Sequence, residues 1–398
     1  YKVVTDNTGN VIIGGCFQGN VNFGGGNLSS AGGWDIFIAK LDPDGNHMWS
    51  MRFGDGSDQW ATAVTVDLTG DVYLVGTFNG TVNFGGGNHT SAGNTDIFLA
   101  KFKKGGSYEW CERFGGTGED AVYGVTVDSS DNLLITGFFE ESVNFGDGNL
   151  YSAGNEDVYI AKYDSAGNHI WSDRYGDMSE QIAFAIDTDD ADNIAIAGHF
   201  KERVNFGGGS INSAGSEDIF VAKFNSSGVH QWSDGFGDSA EQTASGIAFT
   251  RDGEVVVTGT FGSRVNFGGG DLISAGGYDC YLVRFDPAGN HIWSNNYGNS
   301  DDQEAMDVNI DCFNHILVTG NFRGNVDFGG GSLLNAGDWD AYLAQLDSDG
   351  NHVWSKAYGD PSEQMSLGVT SDNLGNVLIT GSFQGDVDFG GGSLSSTG

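Results

Sequence analysis

The chain repeats itself every 61 residues. The tetrapeptide Val-Asn/Asp-Phe-Gly returns with its Phe at 23, 84, 145, 206, 267, 328 and 389, with no insertion or deletion between copies. Phe17, Phe78, Phe139, Phe200, Phe261, Phe322 and Phe383 keep the same step, as do Trp49, Trp110, Trp171, Trp232, Trp293 and Trp354. A chain of this kind must fold as copies of one supersecondary unit laid side by side, each burying a face of its neighbour.

Inside one repeat the apolar period is two. Residues 61–67, 72–78, 96–102 and 108–114 alternate, which predicts four strands, A to D. Turns such as Asp67-Leu-Thr-Gly-Asp71 join A to B, and turns such as Asp42-Pro-Asp-Gly-Asn46 join C to D. Asp opens such turns, and Gly or Asn takes the left-handed backbone they need. Gly reaches 66 of 398 residues with only 3 Pro, as a chain of many tight hairpins requires. No segment carries a helical stripe. Four strands per unit predict an all-β fold, a β-propeller of four-stranded antiparallel blades, and hairpins inside the unit favour blades over the coils of a solenoid. The recurring Trp of strand D is expected to wedge between neighbouring blades.

The expected domain is a single propeller over 1–398, with units near 1–57, 58–118, 119–179, 180–240, 241–301, 302–362 and a partial 363–398. Seven A–B halves but six C–D halves are present, and Thr397-Gly398 aligns with Ala31-Gly32, just before strand C. The expectation is seven blades: six and a half repeats cut from something longer, or a last blade completed by residues outside this sequence.

Units such as Asp35-Ile-Phe-Ile-Ala-Lys-Leu-Asp-Pro-Asp-Gly-Asn-His-Met-Trp-Ser, followed by Phe53-Gly54 and by Val64 to Phe78, resemble the seven-bladed β-propeller (SBBP) repeat family over essentially the whole chain. The resemblance implies a secreted or surface-anchored bacterial protein, and its motif is specific to the repeat rather than to a function. The Ala39, Gly45 and Trp49 spacing is also similar to the Trp-docking motif of quinoprotein propellers, of which only the packing role carries over.

Charge narrows the partners. With 54 Asp+Glu against 17 Lys+Arg the formal net charge is −37, which excludes a reader of phosphate backbones and disfavours docking on anionic membranes. No apolar run approaches a spanning helix, and no signal-peptide pattern is present.

Two loops recur on one face. The D–A loop carries an acid in every copy, Asp58, Glu119, Glu180, Glu241, Asp302 and Glu363, preceded in four copies by Asp55, Asp177, Asp238 and Asp360. These carboxylates either cap loop amides or form a cation-attracting ring with oxygen ligands suited to Ca²⁺. Gln59, Gln181, Gln242, Gln303 and Gln364 follow the acid, with Asp120 at that phase in the remaining copy. The B–C loop presents Asn22, Asn83, Asn144, Asn205, Asn266, Asp327 and Asp388 beside the recurring Phe. An amide or acid next to an exposed ring suits a shallow sugar site; the competing role is closure of the residue's own turn. Asp35, Asp96, Asp157, Asp218, Asp279 and Asp340 open strand C with the same two options.

His47, His169, His230, His291 and His352 share one phase, one per blade, and read as packing residues. Lys40, Lys101, Lys162, Lys223 and Arg284 are expected to pair with local acids. Arg52, Arg113 and Arg174 end strand D in successive blades, where a convergent sialidase-like cluster cannot form. The four cysteines occupy four different phases and predict no bridge. Catalysis requires a break in symmetry, yet no repeat changes length and no GxSxG or HExxH occurs. The expectation is a non-enzymatic extracellular or cell-surface propeller serving adhesion, recognition or surface architecture. The alternatives are a calcium-dependent lectin-like binder and, behind it, a polysaccharide hydrolase or lyase. The expected partner is a cell-surface protein or glycan, or further copies or domains of the same protein.

Overall fold

Most A–B and C–D turns are built by one Asp; Lys103, Asn225 and Thr250 hold that place in three copies. Asp67 Oδ1 accepts the amides of Thr69 and Asp71 at 3.0 and 2.9 Å, and Gly70 N–H bonds back to Asp67 O at 2.9 Å. Gly70 takes φ +83°, and the same place in later copies is held by Asp131 at +59° and Asn314 at +66°. These are the residue types that tolerate the left-handed region, so the hairpin survives the change of residue.

The computed structural model describes residues 2–396, all strand and turn, with no helix among them. Tyr1 and the Thr397-Gly398 stretch, where the sequence stops short of a strand C, lie outside the described residues. The chain is a β-propeller of four-stranded antiparallel blades: six four-stranded sheets are present, and the seventh repeat contributes a sheet of two strands. As the seven A–B and six C–D halves of the sequence lead one to expect, among the described residues the last repeat has only A (Gln364–Ser371) and B (Val377–Phe383).

The chain divides into two compact units, Tyr1–Asp192 and Asn193–Gly398. In the first, repeat two shows the pattern: A is Gln59–Val66, B Val72–Phe78, C Asp96–Phe102 and D Tyr108–Phe114, in sheet order D-C-B-A. In the second, repeat six gives A at Gln303–Ile310, B at Ile316–Phe322, C at Asp340–Leu346 and D at His352–Tyr358. Strands B and C of both copies are buried along their whole length. Strand A carries a bulge between Ala61 and Ala63, which turns the Thr62 hydroxyl onto Val122 O of the next blade at 2.6 Å.

The B–C connection is more than a loop. In every repeat it folds into a minor hairpin, Thr81–Val82 with His89–Thr90 in the second copy, and in five copies its Phe plunges back into the blade. Phe84 is 3% exposed and stacks on Phe98 of strand C, centroids 4.8 Å apart, and on Phe53 from the preceding blade, also at 4.8 Å. Phe53 in turn stacks on Phe102 at 5.5 Å. The motif repeats as Phe114 with Phe145 and Tyr163, and in the second unit as Phe236 with Phe267 and Phe285. Within each unit a blade thus hands one aromatic ring to the next, which is where the repeat buries the apolar surface it cannot bury alone.

The recurring Trp adds a polar clasp at the same junction. Trp49 Nε1–H donates to Lys104 O, Trp110 to Ser165 O, and Trp293 to Ser348 O, at 3.1–3.3 Å, each in the C–D turn of the following blade. Gly106 and Gly167 lie flat against these indoles, where a Cβ would come within 3.0 and 3.2 Å of the ring. The cation of strand C reinforces it: Lys101 Nζ binds Asp67 Oδ2 of its own blade at 3.3 Å and donates to Ser165 O of the next at 3.0 Å.

Candidate functional site

A shallow concave feature recurs in the two units at the same phase of the repeat. In the first unit a shallow cleft of about 640 Å³ lies between the end of one blade's strand D (Glu112, Arg113, Phe114) and the next repeat's B–C excursion (Asn144 to Asp147), C–D turn (Gly167, Asn168) and start of strand D (His169, Ile170). In the second unit a cleft of about 630 Å³ is lined by Asn295, Asn296, Asp327, Phe328, Gly350, Asn351 and His352. Both are mostly polar. At the end of strand D the first carries Glu112 and Arg113 where the second has Asn295 and Asn296, while Asn144 of the first is replaced by Asp327.

The B–C residues on the rim serve the backbone. Asn22 Oδ1 accepts Gly24 N–H at 2.8 Å, and Asn83, Asn144, Asn205 and Asn266 bond the equivalent glycine at 2.8–2.9 Å. Asp327 and Asp388 do the same at 2.7 Å, and their second glycine amide, at 3.0 and 3.1 Å, is closer than the 3.3–3.4 Å of Asn22, Asn83, Asn205 and Asn266. Gly24 and Gly26 take φ +105° and +117°, which admit no side chain without strain. The amide nitrogen remains on the outside: Asn83 Nδ2 meets Asn88 and Asn266 Nδ2 meets Asp271, both in exposed positions. The neighbouring Phe is buried in five copies, at 1–3% exposure, so it offers no open ring there.

The histidines close the floor. His169 Nε2 contacts Ser172 Oγ at 3.0 Å, and His47, His230, His291 and His352 make the same contact with a Ser three residues on. A Cβ on Gly25 would fall 2.1 Å from the His47 ring, so the B–C glycine packs directly on it. Partial burial pushes His230 and His291 below the ordinary imidazole range, toward the neutral ring.

In the D–A loop the first acid organises the turn. Asp55 Oδ1 accepts Ser57 N–H at 2.8 Å and Gln59 Nε2–H at 2.9 Å, while Oδ2 takes Thr81 N–H at 2.8 Å. Asp177, Asp238 and Asp360 repeat the bonds to the turn and the Gln. The second acid is more varied. Asp58 and Asp302 accept the amides of Trp34 and Tyr278 at 2.8 and 3.0 Å, and Glu241 accepts the Tyr278 hydroxyl at 2.8 Å. Glu363 meets Gln384 at 3.4 Å. In the first unit these loops bring acids together: burial, and then the charges of Glu180, Glu140 and Glu119, hold Glu156 above the usual carboxylate range.

The Asp that opens strand C is buried in all six copies. Asp35, Asp96 and Asp157 each accept a loop amide and an ion pair from Arg52, Arg113 and Arg174 at the end of strand D, 3.0 Å in the first case. Desolvation raises Asp340, up to about 6. One junction breaks the pattern. Where five copies place Gln, the loop after repeat two places Asp120, 0% exposed, facing Asp96 across Gly115. The Oδ1 atoms of both carboxyls have no hydrogen-bond partner, and burial, opposed by the Gly116 amide and aided by Asp96, pushes Asp120 up to about 7. The signal for this pair was in the sequence, as the single acid in a column of Gln.

No family model matches the chain. It is 23% identical to an uncharacterized WD repeat-containing protein of Acanthamoeba polyphaga mimivirus, over 98% of this chain and 35% of that protein. It is 26% identical to the regulatory protein FlaEY of Caulobacter vibrioides over 39% of this chain and 17% of the relative. The chain therefore spans about a third or less of the length of these relatives. Among solved structures it is similar to a protein of unknown function from Bacteroides caccae, with TM-score 0.42 and 11% identity over 82% of this chain and 92% of the other. It is also similar to the WD40 β-propeller domain of Doa1, with TM-score 0.35 and 12% identity over 83% and 92%. None of these names indicates an enzyme family.

Proposed function

We propose that the chain is a non-enzymatic recognition propeller of the SBBP repeat type, working outside the cell or on its surface in adhesion or surface architecture. Its working surface is the recurrent cleft at the blade junction, and its partner is a glycan or a cell-surface protein. The observation that carries this is the recurrence itself: the same polar groove is formed in both units by residues 183 positions apart, such as Asn144 and Asp327, or His169 and His352. Copies of one shallow site give weak contacts that add by multivalency. A symmetric set of sites does not divide acid, base and nucleophile roles between groups, as catalysis requires. The net charge of −37 favours neutral or cationic partners.

The test is a glycan array probed with the intact chain in millimolar calcium and in chelator. Binding is expected, and Ile170→Glu, a change at an exposed cleft-edge residue, should weaken it about tenfold. Binding indifferent to that change, or none on any glycan, removes the glycan reading and leaves a protein partner. Calcium is proposed as a second ligand, taken by the oxygen-rich acids of the D–A loops such as Glu119 and Glu180, and binding that persists unchanged in chelator excludes it.

A further inference from the structure

In the second unit one pair of positions lays a cation on its neighbour. The residue after strand B is Lys201 in repeat four and Arg323 in repeat six, and the residue before strand C is Glu217 in the one and Trp339 in the other. Lys201 Nζ binds Glu217 Oε1 at 3.1 Å. Arg323 carries its guanidinium over the Trp339 ring, 4.6 Å from the centroid, and Asp338 holds it there.

Repeat five, between them, keeps the ring and brings no cation. Gly262 follows its strand B and Tyr278 precedes its strand C. Gly262 does not take a left-handed φ, so its backbone does not demand glycine. A Cβ built on it would meet the edge of the Tyr278 ring, Cε1 at 3.3 Å and Cδ1 at 3.6 Å. Tyr278 is 38% exposed and is fixed at both ends by acids: its hydroxyl donates to Glu241 Oε2 at 2.8 Å and its amide to Asp302 Oδ1 at 3.0 Å. The bond to Glu241, then burial and the charges of Glu241, Asp302 and Glu217, hold that hydroxyl above the ordinary phenol range. Glu217 has Lys201; among the described residues neither Glu241 nor Asp302 makes an ion pair. An exposed ring among carboxylates attracts a cation, and a guanidinium suits it because it is planar and weakly hydrated.

We propose that Tyr278, with Glu241 and Asp302 beside it, binds an arginine side chain of a partner protein, taking from outside the guanidinium that Arg323 supplies to Trp339. The ring gives the stacking face, and the two carboxylates do for the incoming group what Asp338 does for Arg323. The net charge of −37 draws basic surfaces toward it. The site shares no residue with the blade-junction clefts, so it stands or falls apart from them.

The probe is N-acetyl-arginine amide, titrated by NMR into the intact chain isotope-labelled on its tyrosine rings. The Tyr278 signal is assigned by its loss in Tyr278→Phe. It should move saturably with the arginine probe, and the uncharged isostere N-acetyl-citrulline amide should bind at least tenfold more weakly. Gly262→Arg puts the chain's own guanidinium where Arg323 stands one repeat later, and should weaken the probe tenfold or more. Glu241→Gln should weaken it several-fold, whereas Asp252→Asn, the same loss of charge in an A–B turn, should leave it within twofold. The two ligands are compared on the parent chain, so a failure of Gly262→Arg to fold does not blunt the test. No saturable shift at Tyr278, equal binding of the citrulline probe, or binding that a folded Gly262→Arg leaves unchanged overturns the proposal. So does equal weakening by Asp252→Asn and Glu241→Gln, which would reduce the effect to net charge.

Discussion

Replacing Asp120 by Gln restores the residue found at this phase in five other copies, and the structure gives the size of the effect. Gln59 Oε1 accepts Asp55 N–H at 3.0 Å while Nε2 donates to Asn79 O at 2.9 Å; Gln303 and Gln364 repeat both bonds. Asp120 keeps only the first kind, from Gly116 N–H at 2.8 Å, and lies beside the buried Asp96 carboxyl. Arg113 sits on the far oxygen of Asp96, Glu140 adds a second negative charge, and Asp120 is pushed from 3.8 up to about 7. Its folded form therefore holds a proton that the unfolded chain releases near pH 4. The stabilisation is complete below pH 4 and is lost as pH rises through 7. Three units at about 1.4 kcal/mol each set a ceiling of ~4 kcal/mol, and relaxation around the pair brings the expected loss to roughly 2–4 kcal/mol. Asp120→Gln should raise stability at pH 8 by that amount and flatten the profile between pH 4 and 7. Native-state hydrogen exchange of strands A and B of repeat three, Asp120–Val127 and Leu133–Phe139, reads this locally. An unchanged pH slope, or a variant less stable than the parent at pH 8, refutes this account of Asp120.

Two other perturbations test the blade junction. Lys101→Met leaves the buried Asp67 carboxylate without its ion pair and should cost about 3–5 kcal/mol at pH 8. Burial pushes Asp67 up, but the Thr69 and Asp71 bonds and the Lys101 charge outweigh it and hold the group low. The parent pair is thus lost on acidification, and the gap between variant and parent should shrink toward pH 3 in urea melts; a cost under 1 kcal/mol would show that the pair is dispensable. Trp110→Phe keeps a ring against Gly167 but removes the bond to Ser165 O, and calorimetry should show a loss of about 1 kcal/mol.

Periodicity carried the strands because they are long enough to show it. B, C and D of repeat two begin and end where the alternation does, at 72–78, 96–102 and 108–114. Strand A starts at Gln59, ahead of the apolar run, because a buried Gln bonded to the loop extends it. The minor hairpin of the B–C connection was not legible, since strands of two residues such as Thr81–Val82 and His89–Thr90 show no period. The candidate cleft was legible only in part. Asn144 and His169 stand out as repeated residues, but nothing in the sequence says that strand D of one blade faces the B–C excursion of the next. Repetition also misdirects. A residue present in every copy meets a need of every copy, and for Asp55 and Asn22 that need is a backbone amide in their own turn. The informative residue is the one that departs from its column. Asp120 acquires its chemistry from Asp96, 24 positions earlier, and the two meet only once strand C and the D–A loop have folded onto Gly115.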